Sequence, residues 1–292
     1  MKGRFAGVLE TIGNTPLVEI RKLNPNPGVR IFAKLESFNP GGSVKDRPAL
    51  YMIERAEERG ELTRDKVILE ATSGNTGIGL ALVAAAKGYR LCLTLPESAS
   101  DERKKILKAL GAELRYTPAA LGTDGAIEEA YAIKRENPDR YFLVDQFNNE
   151  DNIAAHYHGT AVEIWEQTGG EITMFVAALG TSGTAMGCAR RLKEYNPAIR
   201  IVGVEPYMGH RIQGLKNMKE SYRPGIFDRS LLDEKVNILD EDAYEMARRL
   251  LREEGIFSGM SCGAAMHVAV EKAKELSEGL IVVVLPDSAE RY

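Results

Sequence analysis

KVILEATSGNTGIGLALVAAAKGYRLCLTL, residues 66–95, decides the fold class. Residues 66–71 are a short, mostly apolar run, the small polar loop 72–77 follows at once, 76–87 reads as helix, and 90–95 is a second apolar run. Strands that are nearly continuously apolar, rather than alternating, are covered on both faces. That is the condition of a parallel sheet with helical crossovers. The same pattern predicts strands at 30–36, 66–71, 90–95, 112–116, 141–144, 173–179, 200–205 and 280–285. Helices are expected at 44–59, 76–87, 101–110, 124–136, 151–167, 184–195, 241–254 and 264–277. The fold class is therefore α/β, doubly wound. A chain of 292 residues is longer than one compact core usually holds, so two lobes are expected. The polar run DQFNNEDN (145–152) marks the boundary between an N-terminal α/β unit, 1–144, and a C-terminal one, 145–292. The stretch 206–235 is long and without clear period, which predicts a functional or mobile loop.

Bulk properties remove several function classes. A formal charge of −4 argues against a nucleic-acid-binding protein, which needs clustered excess Lys and Arg. Cys92, Cys188 and Cys262 are odd in number and far apart, and the 4 histidines have no zinc spacing. No metal site and a reducing compartment are the expectation. The opening MKGRFAGVLETIGNTPL lacks the apolar segment of a signal peptide, and IGLALVAAA (78–86) is too short to span a bilayer. A soluble cytoplasmic protein without membrane or nucleic-acid partners is predicted.

Two strand-to-helix loops carry the chemistry. GTSGT, 180–184, follows TMFVAAL, and TSGNTG, 72–77, follows KVILEA. Loops at the carboxyl ends of parallel strands are where α/β sheets bind ligands. Glycines admit an anion close to the backbone, and the next helix offers free N–H groups, so GTSGT reads as a phosphate cradle. TSGNTG, richer in hydroxyl and amide groups, suits a carboxylate or a polar ring substituent. Each loop is also an ordinary capped turn. Neither matches GxGxxG or GxxxxGK[ST], which disfavours dinucleotides and nucleoside triphosphates. In NPGGSVKDR, 39–47, Lys45 stands behind two glycines and a serine at the mouth of a predicted helix. It is either a surface charge or an amine placed to react.

NPGGSVKDR, TSGNTG, GTSGT and GIFSGMSCGAA (255–265) occur in that order, with IGNTPLVEI near the start, DQFNN at 145–149 and PDSAERY at the end. Together they resemble the cysteine synthase (O-acetylserine sulfhydrylase) family over nearly the whole chain. The resemblance is closest to the B-type and O-phosphoserine-using branch, through DQFNNEDN, AHY, EIWEQTGG, RPGIF and EGIFSG. It implies the tryptophan-synthase-β-like fold of pyridoxal-phosphate enzymes, fold type II, and a smaller mobile lobe at roughly 39–143. It also implies pyridoxal 5'-phosphate held covalently by Lys45. Asn75 matches the amide on the cofactor's phenolic oxygen and contributes to the substrate site. Gly180, Thr181, Ser182, Gly183 and Thr184 match the phosphate loop, with Ser182 replacing the family's more usual glycine or threonine. Ser261 matches the hydroxyl facing the pyridine nitrogen, and can also cap the helix at 264–277. Thr72, Ser73, Thr76 and Gln146 match the groups that receive the substrate carboxylate.

The implied reaction is β-replacement on an O-activated L-serine, O-acetylserine or O-phosphoserine. Sulfide, thiosulfate or a carrier thiocarboxylate would give L-cysteine or S-sulfocysteine, with Lys45 as general base. A neutral serine at the ring nitrogen favours β-elimination over transamination. The loop after Ile212-Gln-Gly214 reads Leu-Lys216-Asn-Met218, where B-type enzymes tend to place an arginine. Lys216, assisted by His210 and Arg211, is a candidate for a phosphate or thiosulfate anion. Implied partners are a second copy in a homodimer and a serine acetyltransferase or sulfur-carrier protein. A serine/threonine dehydratase of the same fold and a non-catalytic regulatory member are the alternatives. PDSAERY carries Ala289 where the family often has glycine, and relatives usually continue past the position of Tyr292.

Overall fold

The computed structural model describes residues 4–72, 74–220 and 222–291. In chain order its elements are β1 (Leu17–Ile20), β2 (Val29–Leu35), α1 (Asp46–Glu58), β3 (Val67–Ala71), α2 (Asn75–Lys87), β4 (Arg90–Pro96), α3 (Asp101–Ala109), β5 (Glu113–Thr117), α4 (Gly122–Glu136) and β6 (Tyr141–Leu143). There follow α5 (Glu150–Ala155), α6 (Ala161–Gln167), β7 (Met174–Ala178), α7 (Gly183–Tyr195), β8 (Arg200–Pro206), β9 (Glu234–Ile238), α8 (Asp240–Arg249), α9 (Met260–Glu275) and β10 (Gly279–Leu285). They build a four-stranded parallel sheet, β5-β4-β3-β6, and a six-stranded sheet, β1-β2-β10-β7-β8-β9. Only the β1–β2 pair of the larger sheet is antiparallel.

Consecutive residues of the central strands are buried on opposite faces, which is why these strands read as unbroken apolar runs. In β10, Val283 packs into the layer with Met266 and Ala269 of α9, while Val282 and Val284 enter the layer with Cys188 and Leu192 of α7. The smaller sheet is covered likewise, by Leu80 and Val83 on one face and by Ala126, Ile127 and Ala130 on the other. Each fully buried aliphatic side chain contributes about 1.5–3 kcal/mol relative to exposure.

Two strands escape the sequence reading. β1 and β9 are the outermost strands of the larger sheet, and their sequences, LVEI and EKVNI, are only partly buried. β9 also ends the stretch 206–235, which is thus not wholly irregular. The helix expected at 151–167 is interrupted by a π-helical turn, His156–Thr160, between α5 and α6. The smaller sheet lies inside the expected 39–143 lobe, but β1 and β2, from the expected 1–144 unit, belong to the larger sheet. The last strand, β10, inserts between β2 and β7, so the terminal segment 286–291 emerges at the middle of that sheet. No helix among the described residues is long and apolar enough to cross a membrane.

Candidate active site

Both sheets have a point where strand order reverses. In the smaller sheet it lies between β3 and β6, and in the larger between β7 and β10. Loops that leave adjacent strands in opposite directions open a crevice at their carboxyl ends. The loops after β3, β6, β7 and β10 do so around one cavity of about 960 Å³. Lys45, Thr72, Asn75, Thr76, Gln146, Gly180, Thr181, Ser182, Thr184, Lys216 and Ser261 all line it. Gly183 is not in the lining but stands behind it, and Ser73 lies outside the described residues.

Lys45 owes its place to a turn fixed from several sides. Gly42 N–H donates to Asn39 O at 2.7 Å, and Gly42 takes φ +76°, a left-handed conformation that favours glycine. Gly41 N–H donates to the Asp46 carboxylate, and Val44 N–H to Pro286 O at 2.8 Å. Ser43 Oγ accepts from Lys45 N–H at 3.3 Å, within the turn that precedes α1. Lys45 is half-buried, and its amine donates to Thr181 Oγ1 at 3.4 Å. Burial lowers its pKa to about 8, against the opposing attraction of Asp287.

The 72–77 loop is tied to the loop after β6. Thr76 Oγ1 donates to Gln146 Oε1 at 2.7 Å, and Gln146 N–H donates to Glu70 Oε2 at 3.1 Å. Thr72 Oγ1 accepts from Gly74 N–H at 3.1 Å. Asn152 Nδ2 joins this group to the other loop, reaching Gln146 O at 2.8 Å and Thr181 Oγ1 at 3.2 Å. Glu70 is fully buried at the back of the site, and burial pushes its carboxyl up to about 7 despite N–H donors from Gln146 and Ala71.

Residues 180–184 form the turn from β7 into α7. Ser182 adopts φ +70°, and its buried Oγ, like Asn152 Oδ1, meets no hydrogen-bond partner among the described residues. A Cβ on Gly183 would come within 2.1 Å of Asn152 Oδ1, so only glycine lets the helix start this close. Thr184 Oγ1 lies 3.3 Å from His156 Nε2, and His156 Nδ1 lies 2.8 Å from Thr160 Oγ1. Burial, then the charges of Arg47 and Lys45, hold His156 neutral. Ser261 lies in the first turn of α9, whose N-cap is Gly259, so the expected capping role for Ser261 is not found. A buried amine of lowered pKa, an anion loop with an orphaned hydroxyl, and a neutral serine on one cavity fit a phosphorylated aldehyde. The residues present therefore suit pyridoxal phosphate.

Lys216 lines the cavity with its charge already paired, Nζ to Glu220 Oε2 at 3.1 Å, and Glu220 also meets His210 Nε2 at 3.1 Å. Arg211 lines the wall too, with its backbone N–H on Asp240 Oδ2 at 2.8 Å. Cys262 is a buried filler whose thiol donates to Asp287 O at 3.3 Å. Among the described residues no group of three or more His, Cys, Asp or Glu is arranged to hold a metal ion. Sequence reasoning missed Glu70, Asn152, Asp287 and Arg291. A signal existed for Glu70, the single charge inside the apolar run 67–71. Asp287 and Arg291 stand in the quoted PDSAERY, where nothing local reveals that they turn back into the cavity.

A family model described as pyridoxal-phosphate dependent enzyme matches residues 8–287. A cysteine synthase of Aquifex aeolicus is 50% identical over 98% of this chain and 90% of its own length. Cysteine synthase B of Escherichia coli is 46% identical over 97% of this chain and 93% of its own. The crystal structure of a cysteine synthase (OASS) from Entamoeba histolytica superposes with a TM-score of 0.95 at 43% identity, covering 100% of this chain and 90% of that one. With the fold, the cavity and these likenesses in agreement, the chain belongs to the cysteine synthase family of pyridoxal-phosphate-dependent enzymes.

Proposed function

We propose that this cysteine synthase acts on an O-activated L-serine, O-acetylserine or O-phosphoserine. The observation that carries the reading is the convergence of Lys45, the 72–76 loop with Gln146, and the 180–184 loop on one cavity. When bound, pyridoxal phosphate supplies the electron sink that makes a substrate Cα–H acidic enough to remove. Lys45 Nζ takes that proton and later returns one, which needs an amine neutral for part of the time near neutral pH; a pKa of about 8 suits it. Thr72, Ser73, Thr76 and Gln146 receive the substrate carboxylate, and Asn75 contributes through its backbone N–H at the start of α2. Free N–H groups at the N-terminus of α2 and the Gln146 amide suit that anion, and Thr76, whose hydroxyl proton goes to Gln146 Oε1, holds that amide in register. Ser182, Thr184 and the start of α7 hold the phosphate, and Asn75 meets the cofactor's ring oxygen. Ser261 faces the ring nitrogen with a neutral hydroxyl, which limits competing transamination.

Lys216 is the residue we assign to an anionic leaving group or sulfur donor, phosphate or thiosulfate. Its ammonium lies 5.9 Å from the Phe147 ring centre and shares Glu220 with His210, so an incoming anion competes with an existing ion pair. That makes Lys216 a modest contributor. Lys216→Ala should raise KM for O-phosphoserine or thiosulfate about tenfold, the size of one charge-assisted hydrogen bond. Rates with O-acetylserine and sulfide should stay within about twofold. Steady-state cysteine formation with each donor decides it, and equal effects on every donor would remove Lys216 from the assignment. Pyruvate release as the main product, with sulfide present, would instead favour the dehydratase reading. A cytoplasmic homodimer, with a serine acetyltransferase or a sulfur-carrier protein as partner, completes the proposal.

A further inference from the structure

The terminal segment after β10 turns back across the cavity mouth and takes hold of Asn75 from both sides. Asn75 Nδ2 donates to Asp287 Oδ2 at 2.6 Å, and Asn75 Oδ1 accepts from Arg291 Nη1 at 3.2 Å. The carboxylate and the guanidinium come from the same short stretch, 212 and 216 residues away in sequence. Both ends of the segment are themselves anchored. Asp287 pairs with Ser43 as an isolated β-bridge and receives the Cys262 thiol on its carbonyl at 3.3 Å. Arg291 also donates through Nη2 to Gly41 O, and its carbonyl accepts from Arg103 Nη2 at 3.1 Å. The side chains that grip Asn75 are thus bound to the Lys45 turn on one side and to α3 on the other.

This geometry has a definite chemical effect on the amide. A side-chain amide has two N–H donors and one oxygen, and it can flip end for end unless its neighbours distinguish them. An acceptor on Nδ2 and a cation on Oδ1 remove that freedom, because the flipped amide would set NH₂ against Arg291 and oxygen against Asp287. One Nδ2–H is consumed by Asp287, which leaves a single N–H with a fixed direction. Both bonds are charge-assisted, hence stronger than neutral ones.

We infer that Asp287 and Arg291 are positioning residues that fix the Asn75 amide for the cofactor's ring oxygen, so the terminal segment is part of the cofactor site. The inference rests on the reading of Asn75 given above. It is tested by titrating cofactor-free protein with pyridoxal phosphate and recording both affinity and the visible absorption maximum. The variants are Asn75→Ala, Arg291→Ala, Arg291→Lys, Asp287→Ala and the double variant Asn75→Ala/Arg291→Ala. Arg291→Ala and Asp287→Ala should each weaken the cofactor about tenfold and shift its absorption in the same direction as Asn75→Ala. Arg291→Lys should recover part of both effects, since one ammonium cannot serve Asn75 and Gly41 together. The double variant should be no worse than Asn75→Ala alone, the mark of a residue that acts through another. Additive losses in the double variant, or an Arg291→Ala protein with parental affinity and spectrum, overturn the inference while the Asn75 reading stands. An Asn75→Ala protein with parental affinity and spectrum overturns both.

Discussion

At the scale of the residue, the site turns on how solvent is kept from one amine. If Lys45 is the amine that holds the cofactor, as proposed above, its neutral fraction sets how fast the cofactor-free chain captures the aldehyde. A lysine of pKa 10.5 is almost entirely protonated at pH 7, whereas burial brings Lys45 to about 8. The sign follows directly: below pH 8 the reactive neutral form grows about tenfold per pH unit, and above it the gain ends. Capture of pyridoxal phosphate by the cofactor-free chain, followed by stopped-flow absorbance, should rise from pH 6 and level near pH 8. A rate still climbing steeply at pH 9.5 would mean that the amine is solvated. The sequence made Lys45 legible because the glycine turn and its neighbours form one continuous motif. Glu70 was less legible, since its partner Gln146 N–H, through which the carboxylate meets the loop after β6, is 76 residues away.

At the scale of the element, the two cavity-lining loops were legible and the edges of the larger sheet were not, for the same physical reason. A strand buried on both faces must be apolar throughout, as VILEA nearly is, and the loop after it is set off by contrast. An edge strand tolerates charge, as EKVNI does in β9, and then resembles a polar loop. The π-helical turn in 151–167 was hidden because its cause is tertiary. A Cβ on Gly187 of α7 would come within 2.4 Å of Ile153 O and 2.7 Å of His156 Cβ, so α7 presses against that turn. Gly183 is the matching close approach at the start of α7. Gly183→Ala must push Asn152 aside, and Asn152 is what links Gln146 to Thr181 across the cavity wall. The substitution should weaken pyridoxal phosphate at least about tenfold, while far-UV circular dichroism stays that of the parent. Equilibrium dialysis of the cofactor checks it, and unchanged retention would show that Asn152 yields at no cost.

At the scale of the whole molecule, the question is what keeps the Lys45 turn in place if the smaller lobe moves. Arg47, in the first turn of α1, is buried and reaches back into the body of the larger sheet. Its Nε donates to Glu36 Oε2 at 2.6 Å, Nη1 to Glu163 Oε1 at 2.6 Å, and Nη2 to Glu163 Oε2 at 2.7 Å. Lys34 of β2, fully enclosed, closes the cluster through Glu163 Oε2 at 2.7 Å, Thr15 O at 2.7 Å and Gln167 Oε1 at 2.8 Å. Neither partner is close in sequence, so the charges of GGSVKDR and EIWEQ gave no sign that they neutralise each other. Arg47 thus ties the first turn of α1, next to Lys45, to the larger sheet, while Ala49, Met52, Ile53 and Ala56 of the same helix pack in the core of the smaller one. Removing the guanidinium leaves Glu36 and Glu163 buried against a deficit of positive charge, a loss of about 3–5 kcal/mol. For a chain of this size that corresponds to a fall in Tm of about 5–8 °C. Arg47→Leu should show it in thermal unfolding of the cofactor-free protein, and Arg47→Lys should recover only part, because an ammonium lacks the fork that bridges both carboxylates. Parental Tm in Arg47→Leu would show that the cluster is dispensable and that packing in the smaller-sheet core alone holds α1 in place.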